Sequence, residues 1–419
     1  MSSRAATPHA KHKAEGKLLE LEDAHAAILG GVQPLPDVET LEIGATLKRV
    51  LAEPLVSTID VPDFDNSAMD GYALGSADLA GGATMELKVA QYIRAGGPHR
   101  PLQPGTAARI FTGAPLPEGA DAVIMQEECE RKGDSVHLQR VVRAGEHVRP
   151  RAHDIARGAP VLPAGHRMRP QDVAVAAGTG TTHLRVRRRP RVAVFSTGNE
   201  LALPPQALGA GQRYTANNHL LAALAQGAGA GVTDAGIVPD DLDATCDTLE
   251  HLARDHDLLL SSGGASVGDE DHVHRALGRV GEVGLWRISV RPGKPLIFGR
   301  IGANPFVGLP GNPVSVFVTF LLLVRPLILA LQGATSLDTP KLEVSAGFDW
   351  PEPGARREFA RVRVETGNEG GMVARLYPDQ SSDILSSIVW ADGLVEIPAG
   401  VTLVEGDRVG YLPFAGLLD

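Results

Sequence analysis

Between residues 190 and 335, short apolar runs alternate with stretches of helical spacing. Residues 191–195, 231–238 and 257–260 read as strands, the last a short apolar run. Residues 218–228 and 243–254 read as helices, the first with Asn217 as its N-cap, the second with Leu249, Leu252 and Ala253 apolar. Strand–helix alternation at this spacing predicts βαβ units, right-handed crossovers and a parallel sheet. Ligands on such sheets sit at the carboxyl ends of the strands. All three loops expected there carry polar chemistry: residues 196–200 (STGNE), 239–241 (PDD) and 261–271 (SSGGASVGDED).

The pattern differs elsewhere. Residues 18–53 carry helical spacing through Leu18, Leu19, Leu21 and Ile28, then Leu47, Val50 and Leu51. From Pro54 to about Val148, short alternating runs separated by Gly/Pro turns predict β structure. Residues 149–188 are mixed, with a helix expected over 170–177; pairing of this segment with the N-terminal one would make the β region an insertion. Five strand-like runs from 341 to 412 predict a small β-barrel or sandwich. The longest apolar run, 314–324, ends at Arg325-Pro326 and reads as a buried helix too short for a membrane span.

At 419 residues the chain is too long for one compact core. Its 43% hydrophobic and 21% charged residues are those of an ordinary soluble protein. A net charge of −10 and only 4% aromatics argue against a nucleic-acid partner and a base-stacking surface. Cys129 and Cys246 form no CxxC, so a cysteine zinc site or disulfide framework has no support, which fits a reducing cytoplasm. Residues 1–17 are polar without an apolar core, a flexible tail rather than a signal peptide. No membrane partner is expected.

Residues 261–271 carry the most chemistry. A strand running through Ser262, Gly263, Gly264 and Ser266 into a helix start builds a ring of backbone N–H groups suited to an oxyanion. Asp269, Glu270 and Asp271 at its rim could hold a divalent cation. An ordinary β-α turn with an acidic cap fits the same residues. Residues 291–295 (RPGKP) hold Arg291 and Lys294 on a stiff turn, as an anion site needs. In residues 309–315 (LPGNPVS), Asn312 is a natural N-cap and Pro313 sits at N1, so a helix aims its N-terminus at whatever lies there. Residues 62–73 pack Asp63, Asp65, Asp70, Asn66 and Ser67 around Phe64 and Met69, more than an Asx-rich turn requires. His272 and His274 fall on different helix faces and read as surface residues. There is no P-loop, GxSxG or Ser-His-Asp pattern. Two anion cradles, several carboxylates and a Lys/Arg pair point to a magnesium-bridged phosphate and to transfer or cleavage at a phosphoanhydride.

Eight segments resemble one family, the molybdopterin molybdenumtransferases (the MoeA and gephyrin E-domain family). They are PDFDNSAMDGYA (62–73), RIFTGAPLPEGADAVIMQEE (109–128), DIARGAPVLPAG (154–165), STGNEL (196–201), SSGGASVGDEDHV (261–273), RPGKPLIFG (291–299), LPGNPVSVFVTF (309–320) and, more weakly, QSSDILSSIVWADGLVEIP (380–398). The resemblance implies a multidomain α/β plus β fold. An elongated linker domain would comprise 18–53 and 150–188, an inserted β domain 54–149, a central parallel α/β (molybdopterin-binding-like) domain 189–335, and a C-terminal β-barrel 338–419. It implies a homodimer whose cleft joins the α/β domain of one subunit to the inserted domain of the other. It also implies molybdate and adenylylated molybdopterin as substrates, Mg2+ as cofactor, and molybdenum cofactor and AMP as products. Partners could include the molybdopterin adenylyltransferase and cofactor-accepting enzymes.

Carried over residue by residue, Lys294 and Arg291 would face molybdate or phosphate. Ser262, Gly263, Gly264, Ser266, Gly311, Asn312 and Ser315 would cradle the nucleotide-pterin phosphates. Glu200, Asp241 and Asp271 would hold magnesium or orient water, with Asp240 an alternative to Asp241. Asp65, Asp70, Thr112 and Asp154, with Asp271, would supply the catalytic set. Arg361 and Ser386 or Ser387 would help bind molybdate. The chain departs from the usual pattern at Asn199, where an acid is common, at Arg291, where lysine is frequent, and at Asp383, whose charge would repel molybdate. A molybdopterin adenylyltransferase and a non-catalytic scaffold of the same fold are the alternatives; the retained acids and the extra domains favour the transferase.

Overall fold

The computed structural model describes residues 18–79, 85–264, 272–338, 340–367 and 370–418. Val38–Val186 forms one compact unit, and the described residues through Asp37 and from Arg187 onward form the other. In the second unit the alternating pattern becomes β1 (Arg191–Thr197), α1 (Asn217–Gly227), β2 (Gly231–Val238), α2 (Leu242–Asp255), β3 (Leu258–Ser262), α3 (His272–Val280), β4 (Glu282–Trp286), β5 (Ile297–Ile301) and β6 (Asn304–Leu309). The sheet order is β2-β1-β3-β6-β5-β4. The first four strands are parallel, and β5 and β4 run antiparallel on one edge. Val192, Val194, Leu258 and Leu260 belong to one buried cluster, while Ala193, Phe195 and Leu259 belong to another, so both sheet faces are covered. Asn217 is the first residue of α1 rather than its cap, because its side chain is used elsewhere, as described below.

The helix expected to stop at Arg325-Pro326 runs from Pro313 to Leu331 and is here called α4. Proline has no N–H and its ring crowds the carbonyl four residues back. A π-helical stretch at Phe320–Val324 widens the turn before Pro326. The carbonyl that Pro326 cannot serve, that of Leu322, accepts a 2.5 Å bond from His25 Nε2 on the helix Leu21–Leu29. α4 is long and apolar enough to cross a membrane by length and composition alone, but 89% of its most apolar window is buried in the unit's core. Even its one arginine, Arg325, is buried, donating to Leu337 O and Gly416 O.

β7 (Leu342–Ala346), β8 (Arg357–Thr366), β9 (Met372–Leu376), β10 (Gly393–Ile397) and β11 (Arg408–Pro413) close a barrel in the order β8-β9-β7-β11-β10, with β10 pairing back onto β8. Val344, Val362, Ala374, Val395 and Val409 fill it. A two-residue strand, Val290–Arg291, pairs with Arg357 and Glu358 of β8, so the 291–295 turn is anchored on the barrel wall.

In the other unit, Ala122–Met125, Gly71–Leu74, Thr106–Ile110, Glu86–Ile93, Ser135–Leu138 and Cys129–Lys132 form a six-stranded sheet in that order. Val38–Glu42 pairs with His183–Arg187, and Leu55–Val56 with Pro160–Leu162. The helical spacing at Leu47, Val50 and Leu51 is therefore misleading. Lys48 has φ of +61°, a left-handed conformation no helix continues through, and Val50 and Leu51 make isolated bridges to Arg167 and Val186.

The helix Pro170–Gly178 opens with a reciprocal cap. Asp172, almost fully buried, accepts from Arg169 N (2.8 Å), Arg169 Nε (2.9 Å) and His166 Nε2 (2.7 Å). Burial opposes its ionisation, but these donors prevail and hold the carboxyl well below the usual range. Asp172→Ala is expected to cost about 1–2 kcal/mol, because it removes the helix N-terminal cap and leaves Arg169 N and the half-buried His166 without their acceptor, while the exposed Arg169 guanidinium is solvated. The folded carboxyl ionises at lower pH than the unfolded one. Its contribution is thus complete above about pH 4 and lost on acidification. Urea unfolding between pH 3 and 7 would show the wild-type and variant curves converging at the acid end; a constant gap would contradict the assignment.

Candidate functional site

The carboxyl ends of β1, β3 and β6 open onto a cleft, as expected of this sheet. Its larger compartment, about 580 Å³, lies between the 291–295 turn, the start of α4 and residues 380–383 of the barrel. Among the described residues, Arg213, Arg291, Lys294 and Arg356 line it, with Asp383 the one acid. A smaller compartment of about 250 Å³ adjoins it, and Arg213, Gly311, Asn312 and Asp383 line both.

Each loop is fixed by local chemistry. Gly293 has φ of +118°, and a Cβ there would lie 2.3 Å from Thr319 Cγ2, so the turn packs directly on α4. Lys294 O accepts from Ile288 N at 3.0 Å, leaving the lysine side chain exposed in the cleft. Arg291 Nη1 lies 3.3 Å from the buried Glu358. Arg356 donates to Val290 O at 2.8 Å. Its pKa is lowered first by burial and then by repulsion from Arg291. Two guanidiniums beside one carboxylate leave a surplus of positive charge facing the cleft.

The α4 start is only partly the free anion cradle expected. Asn312 occupies the N-cap position without a side-chain cap. Its Nδ2 instead donates to Ser382 Oγ (2.7 Å), and Val314 N donates to Ser382 O (3.1 Å). Ser315 and Gly311 line the cleft beside them. Asn217, buried at the head of α1, donates to Ser262 Oγ at 2.7 Å and Gly311 O at 2.8 Å, tying the β3 loop to the β6 loop. Gly263 and Gly264 have φ of +88° and +67°. A Cβ at Gly264 would meet Val273 Cγ2 at 2.3 Å, so glycine is required there. Gly263 N is used by Leu309 O (3.1 Å). Ser266 and Asp271 lie outside the described residues. Asn217→Ala is expected to cost about 1–2 kcal/mol, chiefly through the buried Ser262 hydroxyl left without its donor, since the Gly311 carbonyl is exposed to water. Thermal unfolding would check this, and an unchanged midpoint would deny the joint its role.

Arg361 does not face the cleft. It is buried, and burial lowers its pKa to about 10. Its donors go to Ser387 Oγ (3.1 Å), Asp379 O (3.1 Å) and Ser381 O (2.9 Å), which shapes the 379–382 loop. Ser386, within 3.3 Å of Tyr377 OH, is likewise absent from the cleft lining; Ser381 and Ser382 stand there instead. Sequence reasoning missed Arg213 and Arg356, which no motif spacing marks; Gln380, Ser381 and Ser382 lie within the quoted 380–398 segment but were given no role there.

Glu200 lies 3.5 Å from Arg213 and borders the smaller compartment. Asp241 caps α2 through Ala244 N (2.8 Å). Asp240 N donates to Asn199 Oδ1 (3.3 Å), so the two loops are neighbours. Among the described residues no cluster of three or more His, Cys, Asp or Glu side chains is placed to hold a metal. His272 and His274 are half-buried rather than on the surface, and burial lowers the pKa of His274.

In the other unit, three loops converge. Asp65 Oδ1 accepts from Arg151 N (2.6 Å), and Asp70 Oδ1 accepts from both Thr112 N and Thr112 Oγ1 (2.8 Å each). The backbone and hydroxyl of Thr112 lower the pKa of Asp70. Leu116 N donates to Asp65 O, and Asp154 N to Val61 O. Asp65, Asp70, Thr112 and Asp154 thus belong to one hydrogen-bonded group of loops.

Comparison with known proteins extends along the whole fold. Family models described as MoeA N-terminal region (domain I and II), Probable molybdopterin binding domain, and MoeA C-terminal region (domain IV) match residues 19–180, 193–330 and 343–414. A molybdopterin molybdenumtransferase of Nostoc sp. is 40% identical over 89% of this chain and 87% of its own length. One of Haemophilus influenzae is 34% identical over 96% of this chain and 100% of its own. A crystal structure of the molybdopterin biosynthesis moeA protein from Pyrococcus horikoshii OT3 superposes with a TM-score of 0.82 at 29% identity, covering 95% of this chain and 100% of that one. The chain belongs to the molybdopterin molybdenumtransferase family.

Proposed function

We propose that this chain transfers molybdenum from molybdate to adenylylated molybdopterin, releasing AMP, in molybdenum cofactor biosynthesis. The observation that carries this reading is a cleft at the carboxyl edge of a parallel sheet whose larger compartment, among the described residues, sets four cationic side chains against one acid. Molybdate and a phosphoanhydride are both oxyanions, and a cleft of about 580 Å³ can admit the two together. Lys294 and Arg291 hold molybdate. Gly311, Asn312 and Ser315, with Ser262, Gly263 and Gly264, position the phosphates.

Magnesium usually takes one or two carboxylates and completes its shell with phosphate oxygens and water. Glu200 and Asp241, on neighbouring loops, fit that donor set once a phosphate is present. The ion would neutralise charge on the anhydride. Cleavage adds one water across the P–O–P bond, giving AMP and the pterin phosphate, while the two dithiolene sulfurs displace one oxo group of molybdate, which leaves as water with the two thiol protons, so molybdenum stays Mo(VI). Asp65, Asp70, Thr112 and Asp154 belong to the same reading as catalytic groups delivered by a second subunit of a homodimer acting in the cytoplasm.

Incubating the protein with adenylylated molybdopterin, magnesium and molybdate tests this. Molybdate-dependent AMP release with cofactor formation is expected. AMP release that ignores molybdate, or adenylate synthesis from ATP and molybdopterin, would overturn the reading.

A further inference from the structure

The molybdate-holding cations occupy the larger compartment; in the smaller one Ser262, Gly263 and Glu200 are accounted for by the phosphates and magnesium, but nothing yet receives a ring of the substrate. The wall of the smaller compartment is formed by Arg213–Tyr214, paired in parallel with Leu201–Ala202. Backbone bonds from Arg213 N to Glu200 O (2.8 Å) and Thr215 N to Ala202 O (3.0 Å) fix this segment. The Tyr214 hydroxyl donates to Gln206 O at 2.8 Å, anchoring the ring by its far end. The side chain is still 48% exposed, and among the described residues no ring or cation stacks on it. Arg213 lines both compartments, and its contact with Glu200, at 3.5 Å between two largely exposed side chains, is weak. An anchored, bare aromatic face beside a loosely held guanidinium suits a ligand with a flat ring at one end and a phosphate at the other.

We infer that Arg213 and Tyr214 read a nitrogen-heteroaromatic ring joined to a phosphate. The Tyr214 face packs on the ring in the smaller compartment, and Arg213 pairs with the phosphate at the boundary. The larger compartment remains for the second oxyanion. This deepens the proposed function and rests on it for the substrate's identity; both halves of an adenylylated pterin carry such a ring.

Calorimetric titration of the full-length chain with AMP, with neopterin monophosphate and with tungstate tests it, using Y214A, Y214F and R213A. Y214A is expected to weaken the ring-bearing phosphate by about tenfold, as loss of one base stack does, and to leave tungstate unchanged. Y214F, which keeps the face and loses only the tether, should stay within about twofold of wild type. R213A should weaken the same ligand by about tenfold while sparing the phosphate-free nucleoside. An effect on AMP assigns the nucleotide half, and an effect on neopterin monophosphate the pterin half; either supports the inference. Unchanged affinity for both in a Y214A protein of wild-type thermal stability overturns it, as does failure of the wild type to bind either. Molybdate-dependent AMP release by the wild type is read separately, so the broader function can stand when this inference falls.

Discussion

Lys294→Ala is expected to lower kcat/KM for molybdate by about 10²–10³, with thermal stability unchanged. The backbone of its turn is held by Gly293 against Thr319 and by the Ile288 N to Lys294 O bond, neither of which uses the amine. The variant therefore removes one of four cations without disturbing the loop that carries them. At an effective dielectric near 20, two unit charges 4 Å apart interact by about 4 kcal/mol, and a dianion feels each cation twice over. The neighbouring arginines recover part of this, which keeps the expected loss near three powers of ten or below. Lys294→Arg should retain part of the rate, since it keeps the charge but changes the donor geometry. A molybdate titration identical to wild type would remove Lys294 from the site.

Arg361→Ala should act differently, through the fold. It strips three acceptors, Ser387 Oγ and the carbonyls of Asp379 and Ser381, of one buried guanidinium. A loss of about 3–5 kcal/mol is expected. The 379–382 loop also carries Ser382, which holds Asn312 and Val314 N at the start of α4, so the cleft wall loosens with it. Molybdate affinity should fall together with the unfolding midpoint. A variant that loses molybdate affinity at full stability would mean that Arg361 touches the oxyanion directly. Unchanged stability and affinity would contradict both roles.

The parallel sheet was legible because buried strands carry continuous apolar runs, such as residues 192–195 and 258–260, that lead into polar loops. The barrel strands were legible as five short strand-like runs. Periodicity failed where tertiary chemistry overrode it. Pro326 looked like a helix end, yet a π-helical turn and His25 absorb its missing donor. Asn217 looked like a cap, but its amide ties two loops that lie far apart in sequence. The cleft was half legible. Arg291, Lys294 and Asn312 sit in Pro/Gly turns whose stiffness shows in the sequence. Arg213, Arg356 and Ser382 reach the same cleft only because a two-residue strand and a closed barrel bring them there. Arg361 was assigned to molybdate through the resemblance alone, and a buried arginine and a ligand-binding one look alike until their hydrogen bonds are traced.

The central claim is that the cleft between the 291–295 turn, the α4 start and residues 380–383 receives the oxyanion. Tungstate, nearly the same size and charge as molybdate, scatters anomalously and locates itself in a crystal. An anomalous peak within hydrogen-bonding reach of Lys294 and Arg291 is the predicted result. A tungstate-saturated crystal with its peak elsewhere, and none among these side chains, would contradict the account.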